Sequence, residues 1–189
     1  MIARNLIHIH IIFYIVFDIS VWREGYSYMS YPQSNKSILF FIKSIALSLA
    51  VGLIASLLTR NSMQVFDAVN KPPLSPPAIL FPVVWTILYT LMGISSYLVV
   101  HSGGSQQDIQ KAVRIYGLQL AVNFLWPTFF FNFQWYLFSF IWLLLLWILV
   151  LIMILRFFTV SKVAAWINIP YLIWLTFAVY LNLGIVLLN

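Results

Sequence analysis

Trp85, Tyr89 and Met92 recur at i, i+4 and i+7 and so share one helix face. Gln119, Asn123, Trp126 and Phe130 form a second such stripe, and Pro170, Trp174, Phe177 and Leu181 a third. Indole and phenol rings offer flat polarisable faces with one polar atom each, while the two amides add a donor and an acceptor. Amides are expensive toward lipid, so the Gln119 and Asn123 stripe is expected to face a protein interior. Three such stripes converging on one interior would wall a flat apolar slot with few hydrogen-bonding groups, which suits a planar hydrophobic ligand. Ordinary helix packing by aromatics fits the same spacing, and spacing alone does not separate the two. Trp135, Tyr136 and Trp166 stand near helix ends and read instead as interfacial belts.

Other chemistries lack candidates. No Asp, Glu, Arg or His falls in the middle of an apolar span, and Lys43 is near enough to a helix start to snorkel, which argues against a proton pump or a voltage-gated channel. No phosphate-binding glycine loop, His-Glu-x-x-His or Gly-x-Ser-x-Gly is present. The absence of cysteine excludes a disulfide framework and a thiolate nucleophile, and no metal site is expected.

The composition says what must position the three stripes. Only 7% of the 189 residues are charged, 63% are hydrophobic and the mean hydropathy is +0.98, so there is too little polar surface for a soluble domain. The expected fold class is an all-α integral membrane protein, a five-helix transmembrane bundle occupying 37–189 with helices at about 38–58, 81–101, 110–131, 135–158 and 163–187. The link Asn132-Phe133-Gln134 is short enough to make the third and fourth helices antiparallel neighbours. Lys36, Lys111, Arg114, Arg156 and Lys162 gather on the side of the N-terminus and the second and fourth loops, against Arg60 and Lys71 on the other. That bias places the N-terminal side in the cytoplasm and the first loop outside. The net charge of +6 is read as this orientation signal, with no nucleic-acid partner. Residues 1–36 are expected to be an interfacial or poorly ordered extension, with Met29 an alternative start.

The first loop contains Lys71, Pro72, Pro73, Pro76 and Pro77, and four prolines within six residues make a stiff segment suited to be a lid over one mouth of the bundle, or a rigid spacer. Ser44, Ser48, Gly52 and Ser56 repeat every four residues and allow another backbone to approach. Gly117 and Ala121 form a second small-residue pair, through which a homodimer is expected to associate.

These residues carry a resemblance. Lys71-Pro72-Pro73-Leu74-Ser75-Pro76-Pro77 followed by Phe81-Pro82-Val83-Val84-Trp85-Thr86-Ile87-Leu88-Tyr89, then Gly117-Leu118-Gln119-Leu120-Ala121-Val122-Asn123-Phe124-Leu125-Trp126-Pro127, then Pro170-Tyr171-Leu172-Ile173-Trp174-Leu175, resemble the translocator protein or tryptophan-rich sensory protein family. The resemblance covers the chain from about residue 38 to its end. It implies a five-helix bundle, commonly a homodimer, that binds porphyrin or haem beneath the first loop. It also implies that Trp85 and Trp174 are the indoles tied to light-dependent porphyrin degradation in some bacterial members. By the same resemblance Ala178 is the small residue that tunes ligand affinity, and Asn123 and Trp126 supply pocket hydrogen bonds. The animal members' cholesterol-recognition pattern is missing, since no Lys or Arg follows Tyr180; this lowers the expectation of sterol transport and favours a bacterial plasma-membrane protein.

The leading expectation is therefore a tetrapyrrole-binding sensor or regulator surrounded by bilayer lipid, with no built-in cofactor and protoporphyrin IX or haem as its ligand. Its binding residues would be Trp85, Tyr89, Asn123, Trp126, Phe130, Trp174 and Ala178, and Arg60 and Lys71 would stand at the mouth near the propionates. Stacking worth about 0.5–1.5 kcal/mol per aromatic pair, added to buried area, supports micromolar affinity. The alternatives are a light- and oxygen-dependent protoporphyrin-degrading enzyme, with Trp85 and Trp174 as redox partners, and a tetrapyrrole or sterol transporter. No inverted repeat supports transport.

Overall fold

A computed structural model describes residues 34–62 and 68–189. The expectations for an N-terminal extension and for a start at Met29 lie outside these residues. Within them the chain is helical, with no strand: α1 (Ser34–Thr59), a short 3-10 turn (Arg60–Ser62), α2 (Leu80–Val100), α3 (Gln106–Pro127), a π-turn (Thr128–Asn132), α4 (Tyr136–Val160), α5 (Lys162–Ile167) and α6 (Ile169–Leu188). The last two form one broken span, so the bundle has five rods.

Four segments are long and apolar enough to cross a membrane, at Ser37–Thr59, Leu80–Val100, Tyr136–Val160 and Lys162–Leu188. The protein is accordingly an integral membrane protein. Outward-facing Ile42, Leu53, Ile87, Ile141, Ile148, Leu155 and Ile173 are all more than half or close to half exposed, a surface suited to lipid. The third rod is the exception. It includes Gln106, Gln107, Asp108, Gln110, Lys111, Arg114, Gln119 and Asn123, and its membrane depth is secured by burial among the other helices, not by its own apolarity. Tyr116, Gln119, Leu120, Asn123 and Phe124 are all buried. α3 starts four residues before the expected position because Ser105 caps it: its hydroxyl accepts from Asp108 N at 3.2 Å and donates to Asp108 Oδ2 at 2.6 Å.

Two breaks shape the interior. Pro127 has no N–H to continue α3, and the chain widens into a π-turn in which Phe133 N donates to Thr128 O at 3.1 Å. Asn132 at its end donates from Nδ2 to Leu58 O at 3.2 Å, satisfying a terminal carbonyl of α1. In the last rod, Pro170 at the start of α6 cannot donate into the preceding turn, and the span breaks at the fully buried Asn168. α1 packs on α2 and α3, α3 on α4, and α4 on both halves of the last rod, while α2 closes the ring against α5. Beyond the break, the α6 backbone stands apart from both α2 and α3. Side chains bridge that space.

The α1–α2 crossing is tight because Gly93 meets backbone directly: a Cβ there would stand 2.5 Å from Ile45 Cα and 2.9 Å from Ser44 O. The small-residue stripe of α1 thus does serve close approach, and Gly52 likewise receives the Tyr89 ring. Ser48 Oγ lies 2.6 Å from Tyr116 OH, joining α1 to α3.

Candidate functional site

The space left between α2, α3 and α6 is lined by the residues of the three stripes. α2 runs antiparallel to the last rod, and its first two turns present Phe81 and Trp85 to α6. Phe81 meets Trp174 edge-to-face with ring centroids 6.0 Å apart at 71°, and Trp85 meets Tyr171 in the same way at 6.2 Å and 68°. Tyr89, one turn deeper, tilts against Trp85 at 5.7 Å. These four residues form two rungs of a ladder across a gap that backbone does not fill. Trp174 also touches Phe177 at 5.7 Å, and Ala178 is partly buried against the core one turn on.

Asn123 and Gln119 point inward as expected, but neither amide stands free for a ligand. Asn123 Nδ2 donates to Tyr171 OH at 2.8 Å, and Tyr171 OH donates to Gln119 Oε1 at 3.1 Å. Gln119 Nε2 faces Met92 Sδ at 3.8 Å. Trp126 is similarly engaged. With the Asn182 amide oriented so that both its atoms are satisfied, Trp126 Nε1 donates to Asn182 Oδ1 at 3.2 Å, Asn182 Nδ2 donates to Tyr136 O at 3.2 Å, and Ser139 Oγ lies 3.2 Å from the same oxygen. The expectation that Asn123 and Trp126 offer open hydrogen bonds is therefore corrected, because facing side chains on α6 take up both donors. The Trp126 ring stacks on Phe130 at 5.2 Å and 25°, in a cluster with Phe81, Phe131 and Ile185 at the first-loop end.

One polar atom lines the ladder without a partner. Trp174 Nε1 is buried and has no acceptor, which costs about 1–3 kcal/mol in the free protein. A carbonyl or carboxylate oxygen brought beside Trp174 would satisfy it.

The proline-rich segment runs antiparallel to α6 and is fastened to it at successive levels. At the outer end Asn189 Oδ1 accepts from Asn70 N at 2.9 Å, while Asn189 Nδ2 donates to Asn70 O at 3.1 Å. Buried Pro72 fits over Gly184, and Tyr180 OH donates to Pro73 O at 2.8 Å. Ser75 Oγ donates to Pro72 O at 2.8 Å beside Leu74, whose φ is +66°. Lys71, Pro73 and Pro77 are exposed and Pro76 is half-buried, and α2 then begins opposite Trp174. Sequence reasoning missed Tyr180, Gly184 and Asn189 as the anchors; the glycine two residues after Asn182 in an otherwise bulky helix was the available signal.

Gly117 and Ala121 do not lie on an outer face. Both are buried within the single chain, so the expected association through them is corrected: that stripe serves packing inside one bundle. Among the described residues no group of three metal-ligating side chains occurs.

The profile of the TspO/MBR family matches residues 44–188. The chain is 38% identical over 156 residues to the tryptophan-rich protein TspO of Chlorobaculum tepidum, covering 82% of this chain and 99% of that one. It is 38% identical over 154 residues to the protein of the same name from Archaeoglobus fulgidus, covering 81% and 99%. To the translocator protein of Ovis aries it is 35% identical over 118 residues, covering 62% and 70%.

Proposed function

The chain belongs to the TspO/MBR family, and from that premise we propose that it is a tetrapyrrole-binding sensor or regulator of a bacterial plasma membrane, taking protoporphyrin IX or haem between α2 and α6. The observation that carries this reading is the ladder Phe81–Trp174 and Trp85–Tyr171 beside a buried indole N–H that has no acceptor. The residues fit such a group in kind. A macrocycle is a broad apolar disc that stacks on aromatic faces, and its polar edge supplies oxygens that Trp174 Nε1 lacks. Trp85, Tyr89 and Trp174 would hold the face of the disc, Phe130 and Trp126 its edge, and Ala178 leaves room that a larger side chain would take. Lys71 and Arg60, at the first-loop end, would stand near the propionates. The segment 70–79 acts as the lid.

A bound tetrapyrrole supplies light absorption and, through its propionates, two anionic groups. This chain's part is to exclude water, orient the ring and donate one hydrogen bond. A second reading, degradation of the pigment in light with dioxygen as oxidant, is favoured by one observation: indoles stand on both sides of the same ladder, Trp85 on α2 and Trp174 on α6. Titration of the purified chain with protoporphyrin IX, followed by indole fluorescence, tests the binding; the Soret band under illumination in air tests the second reading.

A further inference from the structure

Tyr171 holds a position that neither the stripes nor the family motif explains. It is fully buried, and its hydroxyl is spoken for twice, accepting from Asn123 Nδ2 at 2.8 Å and donating to Gln119 Oε1 at 3.1 Å. Both partners lie on α3, one turn apart, so they fix the hydroxyl in position along that helix and in direction. The backbones of α3 and α6 stand apart at this level, and the Tyr171 side chain spans the distance. Its ring edge is set against Trp85 of α2 at 68°. One side chain of α6 is thereby anchored to α3 by its polar end and braces α2 by its ring.

We infer that Tyr171 is a positioning residue that sets the plane of Trp85 and so selects a flat ligand, and that Gln119 and Asn123 act on the site only through it. The inference rests on the reading of the ladder as a tetrapyrrole site. Physical reasons favour it over a merely structural bond. A tyrosine held by one hydrogen bond can swing about its ring axis and tilt, whereas one held by a donor and an acceptor on the same helix cannot. An aromatic ring in edge-to-face contact transmits that fixed direction to its neighbour, because the contact is favourable over a limited range of angles. The arrangement also explains why two amides sit in the interior of a lipid-embedded bundle without offering themselves to a ligand: all of their work is done on one hydroxyl.

The experiment has two arms on the full chain in nanodiscs. In the first, tryptophan is replaced biosynthetically by 5-fluorotryptophan, and the Trp85 resonance is identified by its loss in Trp85→Phe. Tyr171→Phe, Asn123→Leu and the double variant are then compared without ligand. The inference expects Tyr171→Phe and Asn123→Leu each to move or broaden the Trp85 signal, the double variant to move it no further than Tyr171→Phe alone, and the Trp147 signal, bonded to Thr176 on the lipid side, to stay in place. A Trp85 signal indifferent to Tyr171→Phe overturns it, whether or not any porphyrin binds. In the second arm, affinities for protoporphyrin IX and for the open-chain, non-planar biliverdin are measured. The expected result is a fall of about tenfold in the planar-over-open-chain preference for Tyr171→Phe, with non-additive effects of Asn123→Leu. Additive effects would mean that Asn123 meets the ligand directly, and overturn the inference. Absence of porphyrin binding by the unsubstituted protein would count against the tetrapyrrole reading alone, since the fluorine signal reports on Tyr171 separately. Met at Gln119 serves as a second variant if Tyr171→Phe does not fold, with the same expectation for Trp85.

Discussion

Gly184 receives the Pro72 ring so closely that a Cβ on Gly184 would stand 2.5 Å from Pro72 Cβ and 2.6 Å from Pro72 Cγ. Glycine is required here by the approach of another side chain, not by backbone conformation. A proline ring has no flexible end to move aside, so the whole strap must yield if Gly184 gains a side chain.

Gly184→Ala is therefore expected to lift the segment from α6 and loosen the Tyr180 to Pro73 bond below it. Overpacking of this kind costs about 1–3 kcal/mol. Hydrogen exchange should accelerate over 74–79 while α4 is unaffected. Equal protection in the variant and the parent would show that Pro72 is not the anchor.

Gly52→Ala acts on the site from a distance. The added methyl group overlaps the Tyr89 ring, which must leave its place against Trp85. Porphyrin affinity is expected to fall several-fold although Gly52 lines no part of the ladder. Gly93→Ala meets Ile45 and Ser44 backbone, which cannot swing away, so its main effect should be on stability, at least as large as that of Gly184→Ala. Thermal unfolding in detergent together with a titration separates the two; the reverse assignment of effects would contradict the packing described.

The two central indoles are predicted to differ in sign. Trp126 Nε1 is bonded to Asn182, so Trp126→Phe strands a buried amide oxygen and should lose about 1–3 kcal/mol of stability. Trp174→Phe removes an N–H that has no acceptor, so the gain offsets part of the lost packing and stability should change by less than about 1 kcal/mol, while ligand affinity drops. Similar stability losses for both would refute the difference in their environments.

How far the sequence alone reached follows from the same residues. The five rods were legible because apolar runs and polar breaks are local signals, and the inward face of Gln119 and Asn123 was legible because amides avoid lipid. The partners of those amides were not, since nothing local says that the hydroxyl of Tyr171, half the chain away in space-filling terms, takes up both. Burial of Gly117 and Ala121 was hidden for a related reason: small residues at four-residue spacing permit close packing without saying whether the neighbour is another helix of the same chain or a second copy. The break at Asn168 was signalled by Pro170, but its result, the separation of α6 from α2 and α3, is a property of the assembled bundle.

If the pigment is also consumed in light, illumination of the protein with protoporphyrin IX in air should bleach the Soret band with the appearance of a new absorbing product. Trp85→Phe and Trp174→Phe should each slow this beyond what their weaker binding explains. Bleaching at the same rate in saturated variants would remove both indoles from that chemistry.

The most direct test of the account is equilibrium titration of the full chain with protoporphyrin IX in the dark, read by quenching of indole emission, for the parent and for Trp85→Phe with Trp174→Phe together. The account predicts saturable binding in the micromolar range and a loss of affinity of at least about tenfold in the double variant. Equal affinity in the two proteins would place any porphyrin site elsewhere than between α2 and α6.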